Sequence, residues 1–284
     1  MPRAAPPLLV AFLGLALVNA AWMRPPLIVL AAAVPALLFA LPLVVLGRRR
    51  GEPFVLLASA FLWGAVVATW VSLLANDALL AWLPTVAGAD TTAVITPSLL
   101  GPIVEEVSKT AGLVLLYRVR PSSFDGVRRG IVYGALVGLG FVLTENLTYL
   151  MLATLAGGEP GLARAVWTRA VLGGFHHAVF TATIGAALSL GHGRLVPALL
   201  GLAAAIAQHV LWNVVAAGRI SAILCNAPTA DAACATAPAP EGLYVWIPLV
   251  VAGALGPGLA VLTLLATRDQ ISMPASSNST TSSA

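Results

Sequence analysis

The chain has 284 residues, of which 59% are hydrophobic and only 9% are charged, and its mean hydropathy is +0.94. This composition excludes a water-soluble globular domain, whose surface needs more polar residues than this chain has. It also excludes a disordered chain, which needs more charge. The net charge is +4, but 14 of the 15 cations are arginines that cluster beside apolar runs. Since that pattern sets membrane topology, we predict a membrane protein and exclude a nucleic-acid partner.

Apolar runs long enough to cross a bilayer recur along the chain. A transmembrane helix needs roughly 20 mostly apolar residues, and these runs are continuous and rich in Ala and Leu rather than alternating as strands do. The sequence predicts an all-α polytopic transmembrane helix bundle of about eight spans, near residues 5–23, 26–46, 54–75, 92–117, 130–156, 168–190, 195–217 and 244–266. It divides into N-terminal helices (1–91), a core of four helices (92–217) that holds the ionisable residues described below, an outward loop (218–243), a last helix (244–267) and a disordered tail (268–284).

Arginines are distributed unevenly between the two sides of this predicted bundle. The odd-numbered connections hold Arg24, Arg164 and Arg219, whereas the even side holds Arg3, Arg48, Arg49, Arg50, Arg118, Arg120, Arg128, Arg129, Arg194 and Arg268. By the positive-inside rule we expect a multi-pass protein of the cell membrane with both termini in the cytoplasm. The preference for arginine over lysine favours a bacterial source with a GC-rich genome.

Two features at the ends of the chain leave alternatives open. The first run also resembles a cleaved signal peptide, with Val18-Asn19-Ala20 as the cleavage site, and its removal would leave seven spans in the same orientation. Cys225 and Cys234 both lie in the outward loop, where a disulfide and two unpaired thiols are equally compatible with the sequence. With no third cysteine, a thiolate zinc site or an iron–sulfur cluster is excluded.

Ionisable residues inside the spans point to function, because each costs on the order of 3 kcal/mol on insertion scales. These residues are Glu105, Glu106, Lys109, Glu145, His176, His177 and His209. At a helix rise of about 1.5 Å per residue, four spans deliver polar groups to one layer about 12 to 20 Å below the outer surface. Of the other candidates, we interpret His176 as an interhelical hydrogen-bonding residue and Arg169 as a snorkelling one that could also reach a carboxylate.

Local spacing supports an inward-facing site. Lys109 follows Glu105 by four residues and Glu106 by three, so it shares a helix face with both carboxylates and can keep them ionised. Phe141 with Glu145, and His209 with Asn213, are also spaced by four residues. Glycines recur at four-residue spacing in the fifth span, which predicts close packing of a neighbouring helix, at Gly130, Gly134 and Gly138, with Gly140 following.

A buried layer of carboxylates and imidazoles can activate water, so hydrolysis is the chemistry that the residues favour. The chain has no His-Glu-x-x-His zinc motif and no Gly-x-Ser-x-Gly elbow, and no aspartate falls within a span. A proton-coupled or ion-coupled transporter is the main alternative, although no internal repeat is visible. A catalytically idle membrane scaffold is a third reading.

The same residues resemble the motif set of the PrsW family of intramembrane proteases, distant relatives of the CAAX prenyl proteases. The resemblance covers roughly residues 97–215 and is carried by Glu105-Glu106-x-x-Lys109, Phe141-x-x-x-Glu145-Asn146, His177-Ala178-Val179-Phe180-Thr181 and His209-x-x-Trp212-Asn213. It implies an endopeptidase that cleaves membrane-associated proteins or peptides within the lipid bilayer, such as anti-sigma factors. It also implies Glu105 and Glu106 as the paired glutamates, Glu145 as the acid of the second motif, and His177 and His209 as the two histidines.

The predicted mechanism assigns a role to each of these residues. One of Glu105 and Glu106 deprotonates water while Lys109 holds the pair in its charged state. Glu145, His177 and His209 orient that water, either through a bound Zn²⁺ or without a metal, and the sequence leaves both possibilities open. Asn213 is expected to donate a hydrogen bond to the oxyanion or the scissile carbonyl.

Overall fold

The computed structural model describes residues 10–11, 13–18 and 24–216, apart from the side chains of residues 172 and 214–216. Every regular element within these ranges is helical, as predicted. The α-helices are α1 (Pro26–Arg49), α2 (Phe54–Leu62), α3 (Thr69–Trp82), α4 (Pro84–Ala87), α5 (Ala89–Ile95), α6 (Gly101–Val119), α7 (Val127–Ala165), α8 (His176–Leu190) and α9 (Leu195–Ala216). Wider π-helical turns form π1 (Trp63–Ala68), π2 (Thr96–Leu100) and π3 (Val166–Leu172), and Pro121–Phe124 form a 3-10 turn.

Four stretches of the described chain are long and apolar enough to cross a membrane, judged by length and composition. They are Pro26–Arg49, Phe54–Ala87, Val127–Leu190 and Leu195–Asn213. The third contains both the fifth and the sixth predicted spans, and Gly158 interrupts it with φ 60° and ψ −147°. The predicted fourth span (92–117) is not among these four stretches, and it carries Glu105, Glu106 and Lys109. Most of the first predicted span, the loop with Cys225 and Cys234, the last span and the tail lie outside the described residues.

Helix α7 lies at the centre of the bundle and packs against α1, α2, π1 and α8. The contact with α8 depends on glycines, because a Cβ on Gly130, Gly134 or Gly138 would overlap with the α8 backbone. A Cβ on Gly140 would overlap with Phe61 on the opposite side of α7. The predicted role of these glycines in close helix packing is confirmed.

Replacing Gly138 with Ala is expected to push α8 away from α7 at His177. The added Cβ would meet the backbone carbonyl of His177, and overpacking of this kind costs about 1–3 kcal/mol. Thermal unfolding in detergent should therefore show a lower midpoint for Gly138→Ala. Gly157→Ala, which adds a Cβ with no atom within 4 Å, is the matched control and should unfold like the unmodified protein; equal midpoints for the two variants would contradict this packing.

The wider turns of π1 leave backbone carbonyls that accept hydrogen bonds from side chains. Thr144 Oγ1 donates to the carbonyl of Ala65 at 2.6 Å, and Thr69 Oγ1 donates to that of Gly64 at 2.8 Å. On the other side of π1, Trp63 Nε1 donates to the carbonyl of Ser108 at 3.1 Å. These bonds fix π1 between α6 and α7, which carry the glutamates of the predicted site.

A second buried carboxylate joins the turn after α1 to the start of α7. Glu52 Oε2 accepts hydrogen bonds from Ser123 Oγ at 2.6 Å and from Tyr133 Oη at 2.7 Å. Its Oε1 pairs with Arg129 Nε at 3.2 Å. Local sequence pattern does not indicate the burial of this carboxylate, because its donors come from distant parts of the chain. The network holds the 3-10 turn and α7 in place.

Candidate active site

Helix α6 brings three charged side chains to one buried face. Lys109 and Glu106 are fully buried, and the Lys109 Nζ donates to Glu106 Oε1 at 2.8 Å. The same ammonium lies 3.6 Å from Glu105 Oε2, so one cation faces both carboxylates. Ser108 Oγ donates to the Glu105 carbonyl at 2.8 Å, on the side of α6 that faces π1. The predicted sharing of one helix face by these residues is confirmed.

Helix α8 places His177 between the lysine of α6 and the glutamate of α7. Lys109 Nζ donates to His177 Nδ1 at 2.8 Å, and His177 Nε2 lies 3.1 Å from Glu145 Oε2. Because an ammonium can only donate, Nδ1 acts as acceptor and the proton of the neutral ring is on Nε2, which donates to Glu145. His177 is thus held in one tautomer by partners on both sides.

Helix α9 contributes His209 from the other side of the glutamate pair. Its Nδ1 donates to Glu106 Oε1 at 3.0 Å, and its Nε2 lies 3.8 Å from Glu105 Oε2. Within the described part of the chain, Glu105 Oε2 is buried and has no hydrogen-bond partner, whereas Glu106 Oε2 accepts a hydrogen bond from Thr181 Oγ1 at 3.4 Å. The two adjacent carboxylates therefore differ: Glu106 is fully engaged and Glu105 keeps an oxygen available beside an imidazole nitrogen.

Aromatic rings enclose this cluster. Phe141 packs on His177 with ring centroids 5.0 Å apart, and the Lys109 ammonium lies 3.8 Å from the Phe141 centroid. Phe180 stacks on His209 at 5.0 Å. Such rings exclude water and lower the local dielectric constant, which strengthens every charge interaction within the cluster.

His176 lies beside the cluster and faces α9. Its Nδ1 contacts the carbonyl of Gly173, and its ring stacks on Trp212 at 4.5 Å with an interplanar angle of 14°. The prediction of an interhelical hydrogen bond is therefore wrong for the described residues, because the hydrogen bond of His176 is local and its contact with α9 is aromatic stacking. His192 is exposed in the turn after α8 and has φ 48°.

Arg169 is a residue of the cluster for which the sequence left two roles open. It lies in π3, and its Nη2 pairs with Glu145 Oε2 at 3.0 Å, while its guanidinium lies over the Tyr149 ring at 3.6 Å. Of the two predicted possibilities, snorkelling and reaching a carboxylate, the structure has the second. The cluster is therefore a continuous chain of polar contacts from Arg169 through Glu145, His177, Lys109 and Glu106 to His209.

Removing Arg169 is expected to slow the hydrolysis predicted from the motifs, because Glu145, which is bonded to His177, would lose its only cationic partner among the described residues. Residues that orient a catalytic group in this way are typically worth about 10- to 100-fold in activity. We expect Arg169→Met to lower turnover by that factor in a peptide-cleavage assay. Arg164→Met, which changes an exposed arginine one turn or more away, is the control and should leave turnover unchanged; equal rates for both variants would contradict a role for Arg169.

Asn213 lies at the edge of the cluster. Its Nδ2 donates to the backbone carbonyl of Pro97 in π2 at 3.0 Å, and its side chain is partly exposed. The remaining residues of the predicted site, Glu105, Glu106, Lys109, Glu145, His177 and His209, come together in one cluster built by four helices.

The geometry agrees with a comparison against protein families. A family model described as PrsW family intramembrane metalloprotease matches residues 52–262. The chain belongs to the PrsW family. This PrsW protein is therefore a protease, and the resemblance seen in its motifs is confirmed. Searches among curated proteins and among solved structures gave no match.

The family description names a metal, and two groups of side chains in this PrsW protein offer suitable ligand atoms. Glu105, His177 and His209 form one group and Glu145, His176 and His177 the other, each with its ligand atoms within 4.8 Å of one another. The set predicted from the sequence, Glu145, His177 and His209, is not one of these two groups of described residues. A carboxylate with two imidazoles is a known zinc donor set. In the first group Glu105 Oε2 is buried and accepts no hydrogen bond from the described residues, although the Lys109 ammonium lies 3.6 Å away, and His209 Nε2 lies 3.8 Å from it. Both ring nitrogens of His177 are already engaged, by Lys109 and Glu145.

Proposed function

We propose that this protein is an intramembrane endopeptidase that hydrolyses peptide bonds of membrane-associated protein substrates, with Glu105 as the residue that activates water. The observation that carries the proposal is the asymmetry of the glutamate pair. Glu106 is occupied by Lys109, His209 and Thr181, whereas Glu105 Oε2 is buried, free of hydrogen bonds among the described residues and 3.8 Å from His209 Nε2.

In the proposed reaction Glu105 accepts a proton from water as the water oxygen attacks the scissile carbonyl carbon. His209, whose proton is held on Nδ1 by Glu106, uses its unprotonated Nε2 to accept a hydrogen bond from the same water. The proton taken by Glu105 is then transferred to the departing amide nitrogen as the C–N bond breaks. Lys109 keeps the carboxylates charged, which maintains the base in its active form.

The residues also fit a divalent metal ion of the kind that the family description names. Glu105, His177 and His209 would hold it, and His177 would have to release Lys109 or Glu145 to do so. A bound zinc ion would polarise the scissile carbonyl and lower the pKa of water. Glu105 is essential in both forms, as a proton acceptor without the metal and as a ligand with it.

Substrate class and topology complete the proposal. Lipid-facing helices around a buried site favour a substrate with a membrane segment, and anti-sigma-factor-like proteins are one such class. We propose eight spans with both termini in the cytoplasm, in the bacterial cell membrane, because the described arginines Arg48, Arg49, Arg118, Arg120 and Arg194 are exposed on connections that the positive-inside rule assigns to one side.

The test is cleavage of a transmembrane peptide library by the purified protein in detergent, with products identified by mass spectrometry. Cleavage in the presence and absence of a chelator separates the two forms of the mechanism, because only the metal form should lose activity and regain it with Zn²⁺. Absence of any product under both conditions, together with ion flux in reconstituted vesicles, would favour a transporter instead. Absence of both activities would favour an idle scaffold.

A further inference from the structure

The backbone carbonyl of Pro97 accepts a hydrogen bond from neither of the two backbone N–H positions, 101 and 102, that its own helix could offer. In π2 the N–H of Gly101, which an α-helix would direct to Pro97, donates instead to the carbonyl of Thr96. In the π-helix pattern, in which the N–H of residue i+5 donates to the carbonyl of residue i, the donor to Pro97 would be residue 102, which is a proline and has no N–H. The carbonyl of Pro97 therefore requires a donor from outside its own helix.

Asn213 of α9 supplies that donor, since its Nδ2 donates to the Pro97 carbonyl at 3.0 Å. One turn earlier on the same face of α9, His209 donates to Glu106 at 3.0 Å. Pro97 and Glu106 lie on one continuous helical stretch, in which α6 directly follows π2. Helix α9 is thus bonded to this stretch at two points. The bond from Asn213 to Pro97 fixes the rotation of α9 and its position along its axis, and with them the place of His209 relative to the glutamates.

We propose that Asn213 is a positioning residue that, by satisfying the Pro97 carbonyl, holds His209 against the Glu105–Glu106 pair. This role differs from the oxyanion-donor role predicted from the sequence, because Asn213 then acts on the reaction only through His209. A similar arrangement occurs in π1, where Thr144 satisfies the carbonyl of Ala65. The effect on activity rests on the proposed function, but the hydrogen bond itself can be tested without a substrate.

The test combines Asn213→Ala with Pro102→Ala. Asn213→Ala leaves the Pro97 carbonyl without a donor, so we expect faster hydrogen exchange at the amides of residues 98–101 and turnover lowered about 10- to 100-fold, the usual effect of losing an orienting contact. Pro102→Ala introduces a backbone N–H at residue 102, where the π-helix pattern would direct it to the Pro97 carbonyl. The double variant should therefore regain the exchange protection at residues 98–101 but stay as slow as Asn213→Ala, because Pro102→Ala satisfies the Pro97 carbonyl from its own helix and does not restore the bond to α9.

An oxyanion donor acts on the substrate alone, so its loss would lower turnover without changing exchange at residues 98–101. Unchanged turnover in Asn213→Ala, or full turnover in the double variant without the bond to α9, would show that the positioning role is wrong. Exchange at residues 98–101 that is unchanged by Asn213→Ala overturns the proposal as well, even if Pro102→Ala does not fold. Gln208→Ala is the matched control on α9, because Gln208 bonds Thr183 of α8 and should leave exchange at 98–101 unchanged. An unmodified protein that cleaves no peptide contradicts the proposed function. The exchange measurement needs no substrate, so it still tests whether Asn213 supports the Pro97 carbonyl.

Discussion

Replacing Glu105 with Gln should abolish most peptide cleavage while leaving the fold intact. Loss of a general base typically lowers the rate by about 10²- to 10⁴-fold, and a metal ligand changed to an amide would have a comparable or larger effect. The fold should tolerate the change because Glu105 Oε2 makes no hydrogen bond among the described residues and Gln has nearly the same shape. Turnover and the thermal unfolding midpoint, measured on the same purified sample, test both parts.

Two further glutamate variants make this result specific. Glu159→Gln changes an exposed carboxylate and should leave turnover unchanged. Glu106→Gln should lower both turnover and the unfolding midpoint, because its carboxylate is bonded to Lys109 and His209. Full turnover in Glu105→Gln would rule out the assigned role of this residue.

Replacing Lys109 with Met is expected to cause the largest loss of stability. The Lys109 ammonium is fully buried and lies 2.8 Å from Glu106 Oε1 and 3.6 Å from Glu105 Oε2. Met fills a similar volume without charge, so the two carboxylates would remain buried without a cation beside them. Breaking a buried pair in this way costs about 3–5 kcal/mol, and the free energy of unfolding should fall by that amount in denaturant titrations.

A double variant separates the charge effect from packing. Adding Glu106→Gln to Lys109→Met removes one of the uncompensated charges, so the double variant should be more stable than Lys109→Met alone. Val107→Met, on the exposed face of the same helix, is the control for the introduced side chain. A Lys109→Met protein as stable as this control would show that the ion pair does not hold the cluster together.

Sequence spacing predicted the centre of the site well, because helix geometry relates residue number directly to face and depth. Lys109 faces both glutamates as its three- and four-residue spacing requires, and Phe141 lies on the face of α7 that carries Glu145. The glycines of α7 pack against neighbouring helices for the same reason. These features depend only on local periodicity and on the cost of placing charge in an apolar environment.

Other features depend on contacts between distant residues, which local pattern does not determine. The π turns insert extra residues into helices that hydropathy presents as uninterrupted, so the bond from Asn213 to Pro97 could not be foreseen. Arg169 reaches Glu145 only because π3 brings it next to α7. Glu52 is buried by partners from the segment before α7 and from α7 itself. In each case the packing of helices decides the outcome.

The most direct test of the proposed proteolytic centre is the origin of the oxygen in the cleavage product. The unmodified protein, reconstituted in lipid vesicles with a single-span substrate, is supplied with water enriched in ¹⁸O, and the fragments are weighed by mass spectrometry. Hydrolysis by activated water predicts cleavage within or beside the apolar segment and one ¹⁸O atom in the new carboxyl terminus. An intact substrate, or fragments without the label, would contradict the assignment of this buried cluster as a proteolytic centre.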